Sequence, residues 1–352
     1  MAKKAGDSVS ISDIAQKCGV SAMTVSRVMH QSPLVSRKTR EQVLAVAEEL
    51  GYLKGSRLGR PPGIPEENHT RVRLICGTPE RGPVVFQMRL LSALERALTA
   101  RNCECILYCG TGDYRTFLRL QASALKTEAQ ATFIIGDFPE KQLASLIAAF
   151  PGAILIDNPG SPDTNASFNS FAFDNAAAAE IALDHLREQG YSTPLVITGP
   201  ETHFFSREIE AGCRSYSKKH NIPLPEIIRT DYTPGTAENI MQEYLKAGKH
   251  FDSIFTTDEI ATGIYRAMLS SGKKIPQDAA ICGCDNLPSG AVLYPSLTTI
   301  ALDYEELARN AVEFVIRKEK TGIPRRTRLK PSLLIRESTA KRTAAETETK
   351  EI

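Results

Sequence analysis

Apolar positions in the first fifty residues fall at helical spacing. Ile11, Ile14, Ala15 and Cys18 form an i, i+3, i+4, i+7 stripe, with Ser10 placed to cap it and Gly19 suited to the left-handed turn of a tight exit. A second helix over about 22–29, capped by Ser21, turns Val25, Val28 and Met29 inward and leaves Ala22, Met23, Ser26 and Arg27 outward. A third starts near Ser36, buries Val43, Val46, Ala47 and Leu50, and stops at Gly51.

From about residue 71 the pattern changes to short apolar runs separated by amphipathic stretches. VRLIC (72–76), ECILY (104–108), ATFII (131–135) and AILI (153–156) read as one series of strands. FAF (171–173), PLVIT (194–198), SIFTT (253–257) and AAICG (279–283) read as a second. Strands alternating with helices predict parallel sheets covered on both faces, and two series predict two lobes, with ligands beyond the carboxyl ends of the strands. Between head and body, residues 54–71 hold three Gly and three Pro without apolar periodicity and read as a linker.

The expected organisation is a head over 8–53, a linker over 54–71, a body over 72–340 and a polar tail over 341–352. Within the body, lobe 1 is expected over about 72–168 and 300–327, and lobe 2 over about 169–298 and 328–340. The tail carries no leucine heptad to build a four-chain bundle, which favours a homodimer over a tetramer.

Charge adds an asymmetry. Residues 1–60 carry ten Lys/Arg against five Asp/Glu, whereas the remainder has 33 against 36, so only the head is suited to a polyanion. Arg37, Lys38 and Arg40 crowd the first turn of the third helix, where the helix dipole disfavours them unless a phosphate offsets the cost. No run of eighteen apolar residues and no apolar leader occurs, so no membrane partner and a cytoplasmic location are expected. The eight cysteines then read as reduced thiols.

The stretch ISDIAQKCGVSAMTVSRVMHQ, followed by VSRKTREQVLAVAEELGY, resembles the helix-turn-helix of the LacI/GalR repressor family over about fifty residues. The resemblance implies that Ala22, Met23 and Arg27 read base edges of a double-stranded, pseudo-palindromic operator. Arg27 can give two hydrogen bonds to a guanine, while Ala22 and Met23 offer apolar contact. Ser21, Thr24, Ser26, His30, Arg37 and Lys38 become phosphate-contact candidates. The family's linker carries a short hinge helix in the minor groove. Here Pro61-Pro62-Gly63 would break such a helix, leaving Arg57-Leu58 as a truncated version. Gly59-Arg60-Pro61 resembles an AT-hook core instead, which makes Arg57, Leu58 and Arg60 minor-groove candidates beside the reading of a plain linker.

The body resembles the same family most clearly from Phe255 to Glu313, through TTDEIATGIYRAM, GKKIPQDAAICGCDNLP and YPSLTTIALDYEELARNA, which implies a periplasmic-binding-protein-like effector domain. That resemblance makes Asp285 an acceptor for ligand hydroxyls, Phe86 and Tyr304 cleft aromatics, and Thr257-Asp258 the counterpart of the family's Asn-Asp. The family's usual Arg is replaced by Ile209, and Arg207 stands two residues earlier. The implied effector is a sugar or sugar derivative. These departures leave room for a phosphorylated sugar or sugar acid, with Arg207 as anion partner.

Cys103, Cys105 and Cys109 lack the paired spacing of a zinc site, and Gly110-Thr-Gly112 lacks the third glycine of a dinucleotide loop, so neither metal nor cofactor is expected. No nucleophile elbow or phosphate loop occurs, and an enzyme is not expected. The reading is a small all-α head with an α/β two-lobe body of parallel sheets, acting as an effector-controlled transcription regulator, most simply a repressor. A solute-binding protein for transport shares the body's pattern and is the alternative.

Overall fold

The computed structural model describes residues 10–29, 32, 34–50, 70–78, 84–111, 113–160, 168–317 and 324–340. Contacts divide the chain into Met1–His69 and Thr70–Ile352. His30, Arg57, Leu58 and Arg60, expected to contact DNA, lie outside the described residues.

The head contains α1 (Ile11–Cys18), α2 (Ala22–Met29) and α3 (Arg37–Glu49). Ser10 and Asp13 form a reciprocal cap, the Ser10 hydroxyl accepting the Asp13 amide at 3.3 Å and the Asp13 carboxylate accepting the Ser10 amide at 2.9 Å. Gly19 ends α1 at φ +67°, conformational freedom that a side chain would restrict. Ser21 and Ser36 cap the next two helices, accepting the amides of Thr24 and Thr39 at 3.1 and 3.2 Å. Ile14, Ala15, Cys18, Val25, Val28, Val43 and Ala47 form the buried core, with Val46 and Leu50 only half-buried at its margin. The Gln42 amide donates to the Cys18 carbonyl at 3.2 Å, tying α3 to the end of α1.

Among the described residues the body has two sheets of six strands each. The first comprises β1 (Arg71–Thr78), β2 (Glu104–Thr111), β3 (Ala131–Ile135), β4 (Ile154–Ile156), β5 (Asn169–Phe173) and β11 (Arg326–Leu329). Their order is β11-β5-β4-β3-β1-β2, and every pairing is parallel. The second comprises β6 (Pro194–Thr198), β7 (Glu226–Arg229), β8 (Ser253–Phe255), β9 (Ala280–Cys284), β10 (Thr298–Ala301) and β12 (Ser332–Leu334). Its order is β12-β10-β9-β8-β6-β7, parallel except where β12 runs antiparallel to β10. The connecting helices are α4 (Val85–Thr99), α5 (Tyr114–Leu125), α6 (Glu140–Ala149), α7 (Asn175–Glu188), α8 (Phe204–His220), α9 (Pro234–Lys246), α10 (Asp258–Ser270), α11 (Pro288–Val292) and α12 (Tyr304–Ile316).

The lobes divide differently from the sequence reading. The run 171–173 does not open the second series, because β5 pairs with β4 in the first sheet. The chain crosses after it, and α7 packs on β8, β9, β10 and β12. It returns after β10, since α12 packs on α4, and β11 pairs with β5 up to Leu329 before β12 joins the second sheet. An apolar run registers that a strand is buried on both faces and carries no information about which sheet it joins.

Helices α9 and α10 touch through Gly263, where a Cβ would lie 2.0 Å from the Pro234 carbonyl oxygen. Gly263→Ala should therefore force the two helices apart. The expected loss is about 1–3 kcal/mol in denaturant unfolding of the full chain. An unchanged midpoint would show that this helix contact yields freely.

Candidate functional site

Two surfaces concentrate the chemistry, one on each unit. In the head, α2 buries Val25 and Val28 and keeps Ala22, Met23 and Arg27 on the opposite side, exposed. Met23 is 64% exposed, a cost in water that a contact surface would explain. Ser21 is exposed at the helix entrance and exchanges a 2.9 Å hydroxyl contact with half-buried Thr24, while Ser26 is also half-buried. Arg37 and Lys38 are exposed at the start of α3, Arg37 pairing with Glu41 at 2.9 Å. Arg40 is committed elsewhere: its guanidinium donates to the Ser32 carbonyl at 2.6 Å and ties down the segment after α2.

In the body, a cleft of about 610 Å³ lies among the carboxyl ends of strands from both sheets. Val84, Phe86, Leu90, Ile135, Phe204 and Phe205 supply apolar wall. Gly136, at φ +91°, forms part of the floor, where a Cβ would meet the Gly77 carbonyl oxygen at 2.4 Å. Gln87 and Asn158 fix that floor by donating to the carbonyls of Gly77 and Gly136 at 3.0 and 3.2 Å.

The polar lining is acidic: Asp137, Asp157, Asp231, Glu259 and Asp285, with no Lys or Arg among the described lining residues. Asp157 and Asp285 are each 8% exposed. Burial pushes both carboxyls well above the usual range, and each is raised further by neighbouring acids, Glu208 for Asp157, and Asp258 and Asp157 for Asp285. Asp137 keeps 41% of its side chain open, yet burial of the rest pushes it up to about 6, against a lowering by Arg207. His203 is pushed down to about 4 by burial and then by Arg207, so it is neutral near pH 7. Its Nδ1 accepts the Phe205 amide at 3.2 Å, which places the proton on Nε2, 3.9 Å from the Asp137 carboxylate. Tyr232 stands edge-on to His203 at 5.2 Å and shares a 2.7 Å hydroxyl contact with Ser206.

Of the six effector candidates from the sequence, Phe86, Thr257 and Asp285 line the cleft. Asp258 does not. It is fully buried, accepting the Thr299 hydroxyl at 2.6 Å and the Leu287 amide at 2.7 Å, so its carboxylate is a structural anchor. Tyr304 sits behind the lining, packed on Phe86 at 5.6 Å and donating its hydroxyl to the Asp285 carbonyl at 3.0 Å. Arg207 is exposed and turns back onto the carbonyls of Glu201 and Thr202, which removes the cation a phosphate or acid group would need. The acidic and aromatic polar lining residues missed were Asp137, Asp157, Asp231, Glu259, His203 and Tyr232. Asp137 and Asp157 stand just beyond β3 and β4, where the strand-end rule would have found them.

Comparison with known proteins places these features in a group. Residues 10–54 match the model described as bacterial regulatory proteins, lacI family, and residues 183–339 match a periplasmic binding protein-like domain. The chain is 25% identical over 348 residues to the HTH-type transcriptional regulator GalR of Streptococcus thermophilus, covering 94% of this chain and 99% of that one. It is 28% identical over 355 residues to the sucrose operon repressor of Shigella flexneri, covering 94% and 99%. A lac repressor dimer bound to operator and the anti-inducer ONPF superposes with a TM-score of 0.68 at 21% identity, over 95% of this chain and 100% of that one. A complex of the regulator CelR with cellobiose gives 0.67 at 22% identity, over 94% and 99%. No helix among the described residues is long and apolar enough to cross a membrane.

Two variants separate anchor from lining. Asp258→Ala leaves the Thr299 hydroxyl and the Leu287 amide without their buried acceptor, and should cost about 1–3 kcal/mol for each unpaired donor. Asp285→Asn should behave oppositely. The Asp285 carboxyl is raised in the folded state, so the fold loses stability as pH climbs from the unfolded value near 3.8 towards the raised one. Asparagine escapes that loss, and its melting temperature should match or exceed the parent's at pH 8. A melting point far below the parent's would make Asp285 a structural residue as well.

Proposed function

The chain belongs to the LacI/GalR family of bacterial transcriptional regulators, and on that premise we propose that it binds an operator through α2 and is switched by a sugar-like effector in the body cleft. The observation that carries this reading is the outward set of Ala22, Met23 and Arg27 on a helix whose other face is locked into the head core. Arg27 reads a guanine through two hydrogen bonds, and Met23 with Ala22 contacts thymine methyls. Ser21, Thr24 and Ser26 hold the flanking phosphates, with Arg37 and Lys38 adding charge from α3. The exposed Arg37–Glu41 pair is worth no more than about 1 kcal/mol, so a phosphate competes for it easily.

One head contacts few bases, so two copies on a pseudo-palindromic site are needed for useful specificity. We assign the self-association surface to the edge of the first sheet. There β2 ends the sheet, and Leu107 on it and Val85 and Met88 on α4 are exposed apolar side chains. The relatives act on ribose, sucrose and related operons by name, which supports a polyhydroxylated effector of sugar size for the cleft. Binding there changes the separation of the lobes and, through the dimer, the affinity for operator.

Arg27→Ala should cost about 1–3 kcal/mol at the cognate site and little on random duplex, removing discrimination. Lys38→Ala should weaken both alike and reduce the salt slope by about one. Salt-titrated electrophoretic assays measure each effect, and preserved discrimination by Arg27→Ala would end the docking proposal. Leu107→Lys combined with Met88→Glu should yield monomers in sedimentation and lower operator affinity. Dimers unaffected by both changes would move the interface elsewhere.

A further inference from the structure

The charge of the cleft narrows the class of effector. We infer that the effector is an amino sugar, a sugar-sized ring bearing a protonated amine, held between the carboxyls of Asp157 on the first lobe and Asp285 on the second. This rests on the reading of the cleft as the effector site.

Five carboxyl groups line a space of about 610 Å³, and the described lining contains no Lys or Arg. His203, the remaining basic group among the described lining residues, is neutral near pH 7. Asp157 and Asp285 are buried to the same degree, face the cleft from opposite lobes, and form no ion pair among the described residues. The groups acting on Asp157 are Glu208, Arg328 and the Phe173 amide, and Arg328 is itself paired with Glu208. Those acting on Asp285 are Asp258, Asp157, Glu259 and the Cys284 thiol, three of them acids. Among the described residues the basic neighbours of Asp137 are Arg207 and His203, and Arg207 is turned onto backbone carbonyls.

An anionic effector would be repelled by this lining. A neutral polyol would gain hydrogen bonds and leave the buried acids unbalanced. An ammonium group forms charge-assisted hydrogen bonds to both carboxylates and removes their mutual repulsion. Phe86, Phe204 and Phe205 offer apolar surface to the ring face. Both acids hold protons above their ordinary range when the cleft is empty. A bound cation favours their ionised forms, so binding releases protons. Affinity for the amine therefore rises with pH above the ordinary carboxylate range, until the amine itself loses its proton.

The test compares glucosamine, galactosamine and mannosamine with the parent hexoses, their N-acetyl derivatives and the hexose 6-phosphates, by calorimetry on the full chain. Free amines are expected to bind at least about tenfold more tightly than the parent or N-acetylated ring, a difference of about 1.4 kcal/mol. The heat of binding should change with buffer ionisation enthalpy in the direction of proton release. Asp157→Asn and Asp285→Asn, checked for folding by circular dichroism, should each abolish the preference for the amine. Equal or tighter binding of a parent hexose, N-acetyl sugar or phosphate overturns the inference and leaves the effector reading in place. Binding by no member of any arm overturns both.

Discussion

The body's chemistry hangs on one buried carboxylate. Asp258 accepts the Leu287 amide and the Thr299 hydroxyl with no exposure to water, and so fixes the turn that follows β9. That turn holds two successive residues in a conformation disfavoured for side chains, Asp285 at φ +105° and Asn286 at φ +48°. Such a backbone persists only where its surroundings over-determine it. Arg89 and Tyr304 hold the Asp285 carbonyl, the Asn286 amide donates to Thr299 at 3.2 Å, and Arg336 donates to the Asn286 side chain at 2.8 Å. Arg89 lies on α4 and Tyr304 starts α12, both packed in the first lobe, while the turn belongs to the second. The orientation of the Asp285 carboxyl is therefore tied to the relation between the lobes.

The sequence made the elements legible because local physics determines them. Caps at Ser10, Ser21 and Ser36 and the exit at Gly19 depend on neighbours within a few residues. The runs at 131–135 and 194–198 coincide with β3 and β6 because a strand buried on both faces is apolar throughout. What failed was long-range. Asp258 follows a strand and opens a helix, as a ligand-binding carboxylate would. Only the position of Thr299, 41 residues later, shows that its oxygens are already taken. Tyr304 is an aromatic at the right place in the chain, yet its hydroxyl reaches the Asp285 backbone and its ring supports Phe86 from behind. Arg207 illustrates the reverse error, a cation assigned to a ligand that its own loop carbonyls occupy.

The missed acids differ in kind. Asp137 and Asp157 follow their strands directly, and the rule that ligands gather at strand ends applied to them as it did to Asp285. Neither lies in a stretch that resembles the family, so only that rule pointed to them. His203 and Tyr232 had no such signal, since their pairing across loops after β6 and β7 appears only in three dimensions.

The cleft carries a buried carboxyl from each lobe, Asp157 from the first and Asp285 from the second. Ionising both Asp157 and Asp285 with the lobes drawn together would carry a penalty of repulsion, which is one reason both carboxyls hold their protons above the ordinary range in the empty cleft. A ligand that neutralises the pair removes the penalty only in the closed arrangement, where it touches both. Its affinity therefore differs between the two arrangements, which is the condition for shifting their populations. The turn anchored by Asp258 ties the two lobes together, because Arg89 and Tyr304 of the first grip the backbone of Asp285 in the second.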